Sequence, residues 1–292
     1  MLDGLRHSNS GLSGDKRALQ SDVRSLQADV DTADSLVRAK APELIGGRLT
    51  GQRVVVVLAP GADPRTADQI GTTVTSAGGA LAERLTLQPK LLDPASTQLV
   101  QDLVASVLPA GVKLPTDSAA AQAGAVLGAA LLGRPGTTAV PADAAQQVVS
   151  AFQEAGLVDL PGAGTAITAG TLAVLVAAPA PGRPLDAGAR RAQDALLAIA
   201  SELQSRGAGL VVAGPAASAD NGGLVRALRS DSARGSVISS VDNADHGVGQ
   251  VAVALALREQ ALGGAGRYGS APGATGAAPP TAPTPQSPAA SG

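Results

Sequence analysis

The sequence predicts an α/β protein: an N-terminal coiled-coil helix, then a doubly wound, mostly parallel α/β domain, then a disordered Pro/Ala-rich tail. Three observations carry this. The first is a seven-residue repeat of Leu and Val across Leu2 to Lys40. The second is the alternation, from residue 50 onward, of short Val/Leu runs with capped helical segments. The third is a charge-free end. The divisions are 1–45 for the coil, 46–262 for the α/β domain and 263–292 for the tail.

One heptad stripe carries Leu2, Asn9, Lys16, Val23, Val30 and Val37. The other carries Leu5, Leu12, Leu19, Leu26, Ala33 and Lys40. Alternating spacings of three and four make the apolar seam of a coiled coil, and β-branched residues on one stripe with Leu on the other favour two parallel strands. A polar seam residue, here Asn9, fixes register and oligomer number. The expectation is a parallel homodimer held by Leu12, Leu19, Val23, Leu26, Val30, Ala33 and Val37. The alternative is one amphipathic helix packed on its own domain. Gly4, Gly11 and Gly14 each weaken a helix by about 1 kcal/mol relative to Ala, so the first heptads are the weakest. Pro42 is expected to end the helix near Ala41.

Arg53 to Ala59 (RVVVVLA) reads as a strand buried on both faces. Asp63-Pro64 caps a helix to about Ser76, closed by Gly78-Gly79. A strand near Leu81–Leu87 follows, and Asp93-Pro94 opens a helix through Val107. An Ala-rich helix spans about 118–132, another spans 142–155, and Leu157–Leu160 is a short strand. Thr171 to Ala178 (TLAVLVAA) is the second clear buried strand. Then come a helix over 185–205, a strand over 209–213, a helix over 222–229 and a strand over 236–241. Residues 249–262 are ambiguous: Val251, Val253, Leu255 and Leu257 alternate, but Ala fills the gaps and a helix is favoured. Strands alternating with helices imply βαβ units and a largely parallel sheet. From Gly269 onward there is no charge and frequent proline, the composition of a spacer that cannot repay the entropy of ordering.

Composition narrows the chemistry. The chain has 292 residues, 22 basic and 24 acidic, and lacks both the basic face and the aromatic platforms that nucleic-acid binding uses. Phe152 and Tyr268 are its only aromatics. It has no cysteine, so disulfides and thiolate metal sites are excluded. No apolar run reaches the length of a membrane span. The turns Ala59–Asp63 and Gly214–Ser218 follow strands but carry no dinucleotide or phosphate-loop glycines. His7 and His246 are the only histidines. His246 ends the most polar turn of the body, Asp242, Asn243, Ala244, Asp245. This turn is read either as a small metal or polar-ligand site or as side chains capping the next helix, and the second reading weighs more. No catalytic, cofactor or metal residues are assigned.

Several segments together resemble the mycobacterial copper transport protein B family of actinobacteria. They are Leu5 through Leu19, Gly46-Gly47-Arg48-Leu49 with Arg53–Val57, Leu108–Gly111 with Ala125–Gly128, and above all the block from Ile238–Asp245 through Ala254–Gln260 to Gly266–Gly269. The resemblance implies an envelope location, outside the cytoplasmic membrane. It also implies a membrane helix just before the heptads, so the expectation is a truncated ectodomain or a mis-set start, with membrane contact only through that absent helix. Members are described as outer-membrane copper channels and are also linked to cell separation through control of cell-wall hydrolases.

The residues favour the second role. A membrane barrel needs strands of about 9–11 alternating residues with aromatic girdles, whereas these strands are short and continuously apolar. Copper(I) seeks Cys or Met and copper(II) several imidazoles, against Met1 and two scattered histidines here. The expectation is a non-enzymatic scaffold: itself as a homodimer on a coil of about 58 Å at 1.5 Å per residue, with another envelope protein as partner. A copper channel or efflux component is the alternative.

Overall fold

A computed structural model describes residues 2–134, 136–137, 139–161 and 167–280; for residues 2–13 it describes the backbone alone. The chain divides into two compact units, residues 1–40 and 41–292. Residues 2–40 of the first are part of α1 (Leu2–Ile45), which at 44 residues is about 66 Å long.

Pro42 lies inside α1 rather than ending it. Proline removes one N–H donor but leaves its carbonyl available, and the Pro42 carbonyl accepts from the Gly46 N–H at 2.9 Å. The last turn is held from outside the helix: Ile45 and, just beyond, Leu49 are fully buried in the second unit. Burial of two large aliphatics outweighs one lost backbone bond.

The second unit is built on a seven-stranded open sheet. In chain order its elements are β1 (Arg53–Leu58), α2 (Pro64–Ser76), β2 (Ala80–Leu87), α3 (Pro89–Leu92), α4 (Thr97–Val107), α5 (Ala119–Leu131) and α6 (Ala142–Glu154). They continue with β3 (Val158–Asp159), β4 (Leu172–Val176), α7 (Ala187–Arg206), β5 (Gly209–Ala213), α8 (Leu224–Ser230) and α9 (Ser232–Gly235). The last are β6 (Ser239–Val241), α10 (Gly247–Ala261) and β7 (Arg267–Tyr268). The strand order is β3-β2-β1-β4-β5-β6-β7, with every pairing parallel except β2–β3. After β1 the chain winds one way to β2; after β4 it winds the other way through β5, β6 and β7. The doubly wound α/β class expected from the sequence is therefore the observed one.

Side chains alternate across each strand. Val55 and Val57 of β1, Ala173 and Leu175 of β4, and Leu210 and Val212 of β5 join one core with Leu127, Leu131, Phe152, Leu197 and Leu203 from the α5–α6–α7 side. On the other face, α2 lies against β1 and β2 and α10 against β4, β5 and β6. With a single Phe in the chain, helices must approach closely to fill space. A Cβ on Gly124 of α5 would lie 2.9 Å from the Ile199 Cα of α7. The segment that reads ambiguously in sequence is α10. Val251 through Leu257 are all buried, and a helix buried all round loses the polar face that would mark its period.

Two boundaries differ from the sequence reading. Asp231 accepts from the Arg234 N–H and starts α9, so β6 begins at Ser239 rather than 236. Residues 263–280 of the expected spacer are instead part of the fold, with β7 parallel to β6 and Tyr268 bridged to Gly276. The charge-free composition conceals this because the anchors are charges elsewhere in the chain, described below. Residues 281–292 of the expected tail lie outside the described residues.

Candidate functional site

Three places bear on function: the heptad stripe of α1, the turn at Asp242–His246, and the crevice at the carboxyl end of the sheet.

Along α1 the side chains of Leu19, Val23 and Leu26 are 65, 63 and 64% exposed and Val30 42%. Ala33 is exposed and Val37 half-buried. Leu12 lies where only the backbone is described. These residues share one stripe by spacing. Off the stripe the helix satisfies its own polar groups: Gln27 donates to Asp31 at 3.2 Å, the Thr32 and Ser35 hydroxyls donate to carbonyls one turn back, and Arg38 pairs with Asp34 at 3.7 Å. The stripe is thus an apolar line in water.

The polar turn resolves into two structures. Asp242 is fully buried and does not cap α10. Its Oδ2 pairs with Nη1 of Arg229, itself buried on α8, at 2.7 Å. Its Oδ1 accepts from the N–H groups of Ser270 and Ala271 at 2.8 and 3.0 Å. Arg229 donates in turn to Ser240 Oγ at 3.0 Å and to the Tyr268 carbonyl at 2.8 Å. One carboxylate and one guanidinium thereby bind the segment that follows β7 (a buried pair whose other hydrogen bonds go to backbone and to Ser240 Oγ). Gly269 permits this approach, since a Cβ there would lie 2.2 Å from Asp242 Oδ1. Tyr268 donates to both oxygens of Glu259 at 2.8–2.9 Å. Its phenol is pushed well above its ordinary range, first by burial, then by the Glu259 hydrogen bond and charge.

The rest of the turn wraps the start of α10. The Asn243 carbonyl accepts from the His246 N–H at 3.0 Å. His246 occupies the N-cap position of α10 without a side-chain cap bond of its own. Its Nε2 lies 3.8 Å from Asp245 Oδ2. Among the described residues, no three His, Cys, Asp or Glu converge on a metal-sized site.

The crevice was not singled out from sequence. Ligands of open α/β sheets bind outside the carboxyl ends of the strands where the winding reverses; here that point lies between β1 and β4. An apolar cavity of about 240 Å³ sits there, lined by Ala59 and Pro60 after β1, Pro179 and Leu185 after β4, and Ala192 and Gln193 of α7. A wider cavity of about 760 Å³ adjoins it, sharing Leu185, Gln193 and Gly222 and adding the charged residues Arg183, Arg190 and Asp220. Next to Leu185 in the chain, Asp186 caps α7 by accepting from the Ala189 N–H at 2.8 Å. That bond holds its carboxyl below the usual range, with smaller help from the charges of Arg183 and Arg190. The sequence signal was the connection Ala177–Asp186, a long strand-to-helix turn at this edge and rich in proline.

Comparison with known proteins gives a family. The family described as copper transport outer membrane protein, MctB, matches residues 1–279. A protein named copper transporter MctB from Mycobacterium tuberculosis (strain ATCC 25618 / H37Rv) is 29% identical over 248 residues, 83% of this chain and 77% of that protein. One of the same name from Mycobacterium leprae (strain TN) is 31% identical over 244 residues, 78% of this chain and 73% of that protein.

Proposed function

This chain belongs to the MctB family of copper transport outer membrane proteins, and within that family we propose that it is a non-enzymatic scaffold of the cell envelope. Two copies associate through the α1 stripe, on the extracytoplasmic face of the cytoplasmic membrane, and present their α/β units to another envelope protein, a cell-wall hydrolase or its regulator in cell separation. The observation that carries the reading is the line Leu19, Val23, Leu26 and Val30, all exposed in the single chain. Each Leu or Val moved from water into a dimer seam contributes about 1.5–3 kcal/mol, enough over four positions on two helices to hold a dimer.

The test is the mass in solution. The chain is expected to be a dimer at tens of micromolar, and Leu26→Pro to make it a monomer with an intact α/β unit, because proline inside a helix costs about 3 kcal/mol or more. A monomeric parent chain overturns the reading. Capture of the hydrolase or its regulator from envelope extract by the full chain tests the partner, and failure to capture either one counts against it.

The names of the relatives support a second reading, a copper channel or efflux component. No helix among the described residues is long and apolar enough to cross a membrane. Copper-dependent ion conduction by this chain in planar bilayers, with no other protein added, would favour that reading over the scaffold.

A further inference from the structure

The crevice at the β1/β4 reversal has two halves of different chemistry that share a wall. The inner half is aliphatic: Ala59, Pro60, Pro179, Leu185 and Ala192 leave about 240 Å³ without a charged side chain. The outer half carries Arg183 and Arg190. Neither guanidinium closes a hydrogen bond or an ion pair among the described residues, although both lie near enough to Asp186 to favour its charge. Asp186 itself is engaged by the Ala189 N–H. Gln193 and Gly222, joined by a 3.0 Å hydrogen bond, form the wall common to both halves.

We propose that this crevice binds the C-terminal carboxylate of a peptide ending in an aliphatic residue, with that residue's side chain in the inner half and the carboxylate at Arg183 and Arg190. The proposal deepens the partner-binding reading by naming the feature of the partner that the α/β unit receives. Four observations select this ligand class. The halves abut at Leu185, Gln193 and Gly222, so an apolar side chain and an anion must come from one small group, and a terminal residue carries both on one Cα. Arginine offers carboxylate a planar two-donor match. Asp220 in the outer half gives an acceptor for the peptide's last N–H. No aromatic lines either half, so sugars and nucleobases find no stacking surface. The inner volume suits one branched aliphatic side chain and part of the residue before it.

The experiment titrates the full chain into fluorescein-labelled Gly-Ser-Ala-Ala-Leu, as the free acid and as the carboxamide, and reads fluorescence anisotropy. The acid is expected to bind at least about tenfold tighter than the amide, the scale of a lost charge-assisted pair. The Arg183→Ala/Arg190→Ala double variant should remove that preference. Ala192→Phe, which fills the inner half, should weaken the acid by about tenfold or more with the circular dichroism of the parent retained. Equal binding of acid and amide, or no binding of the acid at about 1 mM, overturns the proposal. Because both arginines are exposed, the double variant remains informative if Ala192→Phe fails to fold. Leu26→Pro should leave the titration unchanged, so failure here and failure of the coil dimer are separately visible.

Discussion

Asp242→Ala removes one member of the buried pair with Arg229. The guanidinium then keeps Ser240 Oγ and the Tyr268 carbonyl but loses its counter-charge at 2.7 Å, with its side chain 3% exposed. Two backbone donors, Ser270 and Ala271, lose their acceptor as well. Removing one partner of a buried pair costs about 3–5 kcal/mol, because the other charge stays desolvated. Part of that is recovered when the segment after β7 lifts and admits water, so local opening should accompany the loss. The whole fold has about 5–15 kcal/mol to lose, so the variant is expected at the edge of stability. In urea the midpoint should fall by an amount equivalent to about 3–5 kcal/mol. In hydrogen exchange, amides over 267–276 should lose protection first, ahead of β1, β4 and β5. Arg229→Met should give a similar loss. Replacing both residues with apolar ones should recover most of the ion-pair part while leaving the Ser270 and Ala271 donors orphaned. A change below about 1 kcal/mol for Asp242→Ala, or uniform loss of protection across the sheet, would refute the reasoning.

Gly124→Val should destabilise by at least about 1–3 kcal/mol, since the added Cβ meets the α7 backbone; the thermal midpoint reads this directly, and an unchanged value would contradict the observed helix spacing. Tyr268 is the only tyrosine, so absorbance at 295 nm follows it alone. Its raised pKa favours the folded state fully below the ordinary value near 10 and less as pH rises through the folded value. Phenolate should therefore appear only well above pH 10, and Tyr268→Phe should remove the signal without moving the neutral-pH fold by more than about 1–2 kcal/mol. Asp231 is held below the usual carboxyl range first by the Arg234 N–H, then by the Arg234 side chain. Such a depressed group stabilises the fold above its unfolded pKa and loses that effect as pH falls through the folded one. Asp231→Asn should therefore flatten the dependence of the urea midpoint on pH below about 4.

The buried strands were legible because β1, β4 and β5 are runs of Val, Leu and Ala between turn residues, and because Asp63-Pro64 and Asp93-Pro94 announce helix starts through side chains that do accept from backbone N–H groups of the first turn. What composition could not show was anything decided by a distant partner. Pro42 stays helical because Ile45 and Leu49 are buried, and β7 forms because Arg229 and Asp242 bind the residues after it. Both are tertiary effects that a local window weighs wrongly. The Asp242 turn drew notice as polar surface, yet its first residue is among the most buried in the chain, and nothing in its neighbours' identities points to an arginine thirteen positions earlier. The inner half of the crevice was hidden for a different reason: its walls are mostly Ala, Pro and Leu, ordinary residues made into a site only by where the winding reverses.

The Arg229–Asp242 pair also sets an order of events on a nascent chain. The carboxylate is complete only when residues 229, 270 and 271 are all present. A chain shorter than this carries, at the end of β6, a charge that the interior cannot yet accept. The growing polypeptide can assemble β1, β4 and β5 earlier, but its final closure waits for residues 270 and 271. Released chains truncated just before residue 270 and just after residue 271 should therefore differ sharply in resistance to protease.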